Sequence, residues 1–384
     1  MSVLRPRPPE EPLGYELADA AAAADLAPQL EAARDTILRD PAAVDLAARM
    51  LADYDTARPA SELFAILGTA REIRDSVDRL VVVAGGSIGP ATRLLAASCC
   101  HPYHDQLPRG ERGGRPRLSC LDGRSGNDLI QGLLDLLAPA GGLGQDDLLD
   151  RWALMPVDLP ADDSRHEAVV RLLLEQLAAS LAGDRHRLAE RVVPVTAAGG
   201  RLAELTEPLA CPRQFPAAPE LGAAAGVFSA AGLLPAAVAG IDVVRLLKGG
   251  EAMFRRFAEA PVLDNPPLLD AAVAWRAPAR GPAAGRRFLP GQGGEAGSAG
   301  WLAPLASWLT AISSPAAAGE GPVTRLTVGE PRRDRLDLPP LAENPPAAAT
   351  VTIALPRVDE HAIGQLLQLL ILSAAMERQL EQPV

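Results

Sequence analysis

Lysine is almost missing. Lys248 is the only one among 37 basic residues, so any chemistry that needs a lysine amine is confined to one position. Aromatic residues make up 3%, and a core must be packed with leucine, valine and alanine instead. Positive charge is outnumbered. The net charge of -11 excludes nucleic acid as a partner, because a phosphate backbone demands a basic face. Cysteine is limited to Cys99, Cys100, Cys120 and Cys211. Adjacent thiols in a large chain do not suggest a disulfide framework, so reduced thiols and a cytoplasmic location are expected. No long apolar run is intact. The greasiest stretch, 221–247, contains Pro235, Asp242 and Arg245. A membrane span needs about 20 mainly apolar residues in a row, so no membrane association is expected. Residues 1–12 are rich in proline and glutamate and lack the apolar centre of a signal peptide.

What is present is enough apolar material for large cores: 48% of 384 residues, a length suited to two α/β lobes. Residues 1–14 read as a disordered tail. From 15 to 53 the spacing is helical, with Pro41 opening a second helix, and 61–78 read as another helix. The apolar run 80–84 predicts a buried strand. Gly85-Gly86-Ser87-Ile88-Gly89-Pro90 and a helix over 91–98 follow it. Strand, glycine turn and helix begin a βαβ unit. Further strands are expected at 117–121, 152–157 and 191–196. Helices are expected at 129–137, capped by Asn127-Asp128, and at 165–181. That alternation predicts a parallel sheet with helices on both faces. Residues 278–300, rich in glycine, proline and arginine, read as a loop. A strand over 350–355 and a helix over 359–381 close the chain.

The turn at 85–89 offers backbone N–H groups and a positive helix end to an anion, with Ser87 as a hydroxyl donor. Gly85, Gly86, Ser87 and Gly89 are therefore candidate ligand-binding residues. A tight turn that simply needs glycine is the competing reading, since the spacing is neither a dinucleotide fingerprint nor a Walker-type phosphate loop.

The stretch 220–235, E-L-G-A-A-A-G-V-F-S-A-A-G-L-L-P, continued by A-A-V-A-G-I-D to Asp242, resembles a signature of glucose-6-phosphate isomerases. In that family it reads roughly N-V-G-G-R-F-S-V-L-S-A-V-G-L-L-P followed by a-l-A-G-I-D. The run from Val81 to Ser98 resembles the family's strand and G-G-S-x-x-G loop. Asn127-Asp128 and Gly364-Gln365-Leu366-Leu367 resemble further family segments, while 255–350 match poorly. The resemblance implies an α/β fold of two sugar isomerase (SIS) lobes, each a mainly parallel sheet flanked by helices in three α/β/α layers. Residues 1–55 would form a tail and helices, 56–208 the first lobe and 209–384 the second. It implies metal-free interconversion of glucose 6-phosphate and fructose 6-phosphate, part of glycolysis and gluconeogenesis. No cofactor is implied, and the protein is expected to dimerise with itself or with an intact paralogue.

The family's chemical groups do not carry over. Its signature arginine falls on Ala224. Its hydroxyl-rich phosphate loop falls on Asp158-Leu159-Pro160-Ala161-Asp162-Asp163-Ser164. A carboxylate about 4 Å from a phosphate charge costs roughly 4 kcal/mol at an effective dielectric near 20. The family glutamate, placed by a tryptophan matching Trp308, falls on Pro315. The ring-opening histidine is unmatched, because no histidine lies between His186 and His361. The family's C-terminal lysine has no counterpart. The expected function is therefore a non-catalytic relative, a pseudoenzyme. One alternative is an active isomerase using shifted residues, with Glu220, Glu320 and His166 as candidates. Another is a regulatory module binding a carbohydrate derivative at Gly85, Gly86 and Ser87.

Three other groupings stand out. Cys99, Cys100, His101, His104 and Cys120 offer soft metal ligands, but the spacing matches no familiar zinc motif, and no metal is expected. Arg325, Arg332, Arg333 and Arg335 form a basic cluster that could hold an anion, though a solvated loop is the reading preferred. His361 is expected to face solvent or a dimer partner.

Overall fold

The computed structural model describes residues 10–18, 21–85, 88–138, 147–158, 164–217, 223–276, 286–291, 299–313, 322–330 and 349–381. Among these lie the strands β1 (Gly14–Leu17), β2 (Arg79–Val83), β3 (Arg117–Leu121), β4 (Trp152–Pro156), β5 (Val195–Thr196), β6 (Phe215–Pro216), β7 (Arg287–Pro290), β8 (Val323–Glu330) and β9 (Val351–Arg357). Parallel sheets flanked by helices are the architecture expected from the alternation. The chain divides into two compact units, 52–243 and 1–51 with 244–384.

In the unit 52–243, β3, β2 and β4 form a parallel sheet in that order. Single parallel bridges from Leu154 to Val192 and from Val157 to Val195 extend it. Strand β2 is buried along Leu80 to Val83 because helices cover both faces. Val81 and Val83 join Leu121, Ile130, Leu133, Val170 and Leu173 in one core. Alternation turns Leu80 and Val82 to the other face, where the helices Ile88–Cys99 and Ala230–Ala239 pack. All of Ala230–Ala239 is buried, including Pro235. That is why the stretch shows no polar stripe. It stops at Gly240, whose φ of +84° and two N–H contacts to Ala236 and Ala237 carbonyls make a left-handed cap. Ser61 caps the helix Glu62–Ser76 by accepting from the Phe64 N–H at 3.3 Å.

In the other unit, β7, β8 and β9 are parallel and β1 pairs antiparallel with β9. The helix Glu360–Glu381 packs on Pro266–Arg276 and Ala27–Arg39.

Several local expectations are corrected. Leu13 is buried and its N–H donates to Gln365 at 3.1 Å, so the tail is ordered before residue 14. Gly14–Leu17 is a strand, because β9 offers it an edge that helical spacing cannot reveal. Pro41 opens only a short 3₁₀ turn, Pro41–Ala43. Gly126, not Asn127 or Asp128, is the cap residue of Asn127–Leu137. Arg191 ends the helix Arg185–Arg191, and the expected strand shrinks to Val195–Thr196. β7 lies inside the segment read as a loop.

Candidate functional site

Ligands of open parallel sheets sit beyond the carboxyl ends of the strands. In the unit 52–243 that edge is formed by Gly85 after β2, Asp122 to Gly126 after β3, Asp158 after β4 and Ala197 to Gly200 after β5. The ends of β2 and β4 are adjacent, with the Val157 N–H donating to the Val83 carbonyl at 2.9 Å.

The glycine turn is built for closeness. Gly85 and Gly89 are buried, and a Cβ at Gly89 would lie 2.9 Å from the Ala84 carbonyl oxygen. The other two residues of the expected binding turn, Gly86 and Ser87, lie outside the described residues. So do Glu220 and Glu320. The signature stretch packs directly beside this turn. A Cβ at Gly226 would meet the Ile88 Cδ1 at 2.6 Å, so the short helix Ala223–Gly226 sits against the start of Ile88–Cys99. Ala224, where the resemblance puts an arginine, is half-buried in that short helix.

His166 shares this edge. It is buried, with Nε2 3.0 Å from the Val157 carbonyl oxygen. A carbonyl only accepts, so Nε2 carries the proton and is engaged with the backbone. Asp158 accepts the Ala197 N–H at 2.9 Å through Oδ2. A Cβ at Gly200 would overlap that same oxygen, so a side chain there would displace the carboxylate. Arg165 donates to the Ser125 carbonyl at 2.9 Å, and the Ser125 hydroxyl donates to Asp122 at 3.0 Å. Glu167 accepts from Arg171 at 2.7 Å and Arg201 at 3.3 Å, which hold its carboxyl below the usual range. Each of these arginine ties joins residues 34 to 40 positions apart or crosses one helical turn. The long ones leave no sequence signal.

The cysteine–histidine grouping is a packed one. Cys99, Cys100 and Cys120 are buried, and His104 Nε2 lies 3.2 Å from the Pro116 carbonyl oxygen. No group of three or more His, Cys, Asp or Glu among the described residues is placed to hold a metal ion. Burial pushes the Cys120 thiol up to about 12. The thiolate is the reactive form, so alkylation of Cys120 in the folded protein at pH 8 should be about a thousandfold slower than of an ordinary thiol near 8.5. Mass spectrometry of the alkylated protein checks this. Of the arginine group, Arg332, Arg333 and Arg335 lie outside the described residues, while Arg325 is in β8. In the other unit, His361 is buried rather than facing solvent. Gln365, one turn further along the same helix, bonds its Nδ1 at 3.1 Å. No described helix is long and apolar enough to cross a membrane.

No protein-family model matches the chain. A glucose-6-phosphate isomerase from Rubrobacter xylanophilus is 30% identical over 256 residues, covering 65% of this chain and 52% of that protein. One from Symbiobacterium thermophilum is 28% identical over 197 residues, covering 51% and 41%. The chain spans about half the length of these curated relatives or less. A hypothetical protein from Thermus thermophilus shares the fold with a TM-score of 0.69, 18% identity and coverage of 96% and 94%. A glucose-6-phosphate isomerase from Chlamydia trachomatis does so with a TM-score of 0.62, 14% identity and coverage of 96% and 84%. Sequence likeness to two curated isomerases, on a frame shared with a third, makes this chain similar to glucose-6-phosphate isomerases over about half of their length.

Proposed function

We propose that this chain is a non-catalytic member of the glucose-6-phosphate isomerase family, a binding or regulatory relative of the isomerases. The observation that carries the reading is Ala224. It sits on the short helix packed against the glycine turn, where the resemblance puts an arginine that stabilises developing negative charge. A methyl group offers no donor there. Loss of one such donor typically costs about 10² to 10³ in rate. The loss deepens when the base and acid positions are vacant as well, although such effects do not add. Asp158 supports the same reading: its carboxylate replaces hydroxyl chemistry and is held in place by the Ala197 N–H. The retained turn at Gly85 to Gly89 suits a carbohydrate derivative, and a dimer with itself or an intact paralogue, in the cytoplasm, fits a regulatory role.

The competing reading is an active isomerase using Glu220, Glu320 and His166. His166 Nε2 is committed to the Val157 carbonyl, which weighs against it. A coupled assay converting fructose 6-phosphate to glucose 6-phosphate separates the two. The expected result is no turnover above background. Rates on the order of 1–10³ per second, ordinary for enzymes, would overturn the proposal.

A further inference from the structure

A second charged feature lies at the opposite end of the sheet in the unit 52–243. Asp78 precedes β2, and Arg117 begins β3. The buried Asp78 carboxylate is ion-paired to Arg109 at 3.0 Å, and to Arg112 and Arg117. Three guanidinium groups thus share one carboxylate. Arg109 also donates to the Arg74 and Val77 carbonyls, which ties the loop to the C-terminal end of Glu62–Ser76. Between that helix end and the loop is a cavity of about 490 Å³, lined by Arg71, Arg74, Asp75, Arg109, Gly113 and Gly114. Gly113 and Gly114 have φ of +68° and +74°, so the loop turns through two left-handed residues and puts no side chain into the cavity there.

The charge balance is unusual for this chain. Segments 71–79 and 105–117 carry seven arginines and five carboxylates, and one of the carboxylates, Glu72, is turned to Arg213 at 2.8 Å. The whole chain, by contrast, carries -11. Arg71 and Arg74 are one turn apart on the same helix face, and no carboxylate among the described residues ion-pairs with either. Capping of the helix end accounts for Arg109. It does not account for Arg71 and Arg74, which face the cavity without such a partner.

We propose that this cavity is a binding site for a small phosphate-bearing anion, separate from the glycine turn. Arg71 and Arg74 would hold the phosphate, as guanidinium pairs do. The three arginines sharing Asp78 lend a positive wall, and Asp75 accepts from a hydroxyl of the ligand. A strand of five residues separates this site from the turn at Gly85, about 17 Å at strand rise.

Isothermal titration of the full chain tests it, with inorganic phosphate, pyrophosphate and adenosine monophosphate as probes at matched ionic strength. Saturable binding of at least one probe is expected, weakened at least tenfold in the R71Q/R74Q double variant. Asp75→Asn should tighten pyrophosphate by relieving repulsion, and weaken adenosine monophosphate relative to it by exchanging a charged acceptor of the ligand hydroxyl for a weaker neutral one. Preference for the free anions or for the ester then says which source the site takes. No saturable binding to wild type, or binding unchanged in R71Q/R74Q, overturns the proposal. Arg74→Lys keeps the charge and serves as the folding control. Binding lost equally in Arg74→Lys and R71Q/R74Q, with an unfolded thermal profile in both, is read instead from Asp75→Asn alone. Unchanged pyrophosphate affinity in that variant also overturns the site. Neither result bears on turnover at the glycine turn.

Discussion

Arg286→Met is expected to destabilise the protein by about 3–5 kcal/mol, the cost of breaking a buried ion pair by removing one partner. Arg286 is buried just before β7 and stands between two carboxylates. Asp270, from Pro266–Arg276, pairs with it at 2.5 Å, and Glu377, from Glu360–Glu381, pairs with its other nitrogen. The Tyr15 hydroxyl of β1 donates to Asp270 at 2.9 Å. Burial, and then the charge of Asp270, push the Tyr15 hydroxyl well above its ordinary value, so it stays a donor. Burial also raises Glu377, even though Arg286 opposes the rise. Methionine would leave the buried Asp270 and the half-buried Glu377 carboxylates without their cation. The sign of the pH dependence follows. A carboxyl raised in the folded state is unfavourable when ionised and is relieved as pH falls through its folded value. The loss in Arg286→Met should therefore be full at neutral pH and shrink on acidification. Urea unfolding at a series of pH values measures both. A midpoint unchanged from wild type would mean that the cluster does not tie these elements together. Against a total of roughly 5–15 kcal/mol, the expected loss is large.

Gly364→Ala is the second large effect, despite a helix propensity gain of up to about 1 kcal/mol. A Cβ at Gly364 would overlap the Leu246 carbonyl oxygen and lie 3.1 Å from the Gly250 nitrogen. A Cβ at Gly249 would overlap the His361 carbonyl oxygen. The helices Val243–Glu259 and Glu360–Glu381 therefore meet backbone to backbone. The atoms in the way are peptide atoms, which cannot swing aside as a side chain would. A methyl group must push the helices apart, at a net cost of about 1–3 kcal/mol or more. Gly249→Ala should cost a similar amount. The double variant should cost less than the sum, since one separation relieves both clashes. Urea unfolding of the three variants measures this, and additive losses would mean that the two glycines act independently.

The strands of the sheet around β2 were legible because β-branched and apolar runs between turn residues have few alternatives. The fully buried helix Ala230–Ala239 had no period to announce it, because a helix apolar all round carries no stripe. At the candidate site, the glycines of the turn and the alanine at 224 could be read directly. Both are matters of residue identity. The engagement of His166 Nε2 with Val157 could not, nor could the ties of Arg165 to Ser125 and Arg201 to Glu167. None has a local pattern.

By itself, the sequence determined the α/β alternation and the likeness to glucose-6-phosphate isomerases. These depend on composition, period and identity, which are local. Tertiary structure alone decided what meets across long separations. It made β1 a partner of β9, joined Leu13 to Gln365 across 352 residues and buried His361. It also gathered three arginines around Asp78 and one arginine between Asp270 and Glu377. The physical reason is the same in each case. A strand's period says that it needs an edge, and a buried charge that it needs a counterion. Neither says which distant residue supplies it, because that choice is made by the surfaces that collapse together.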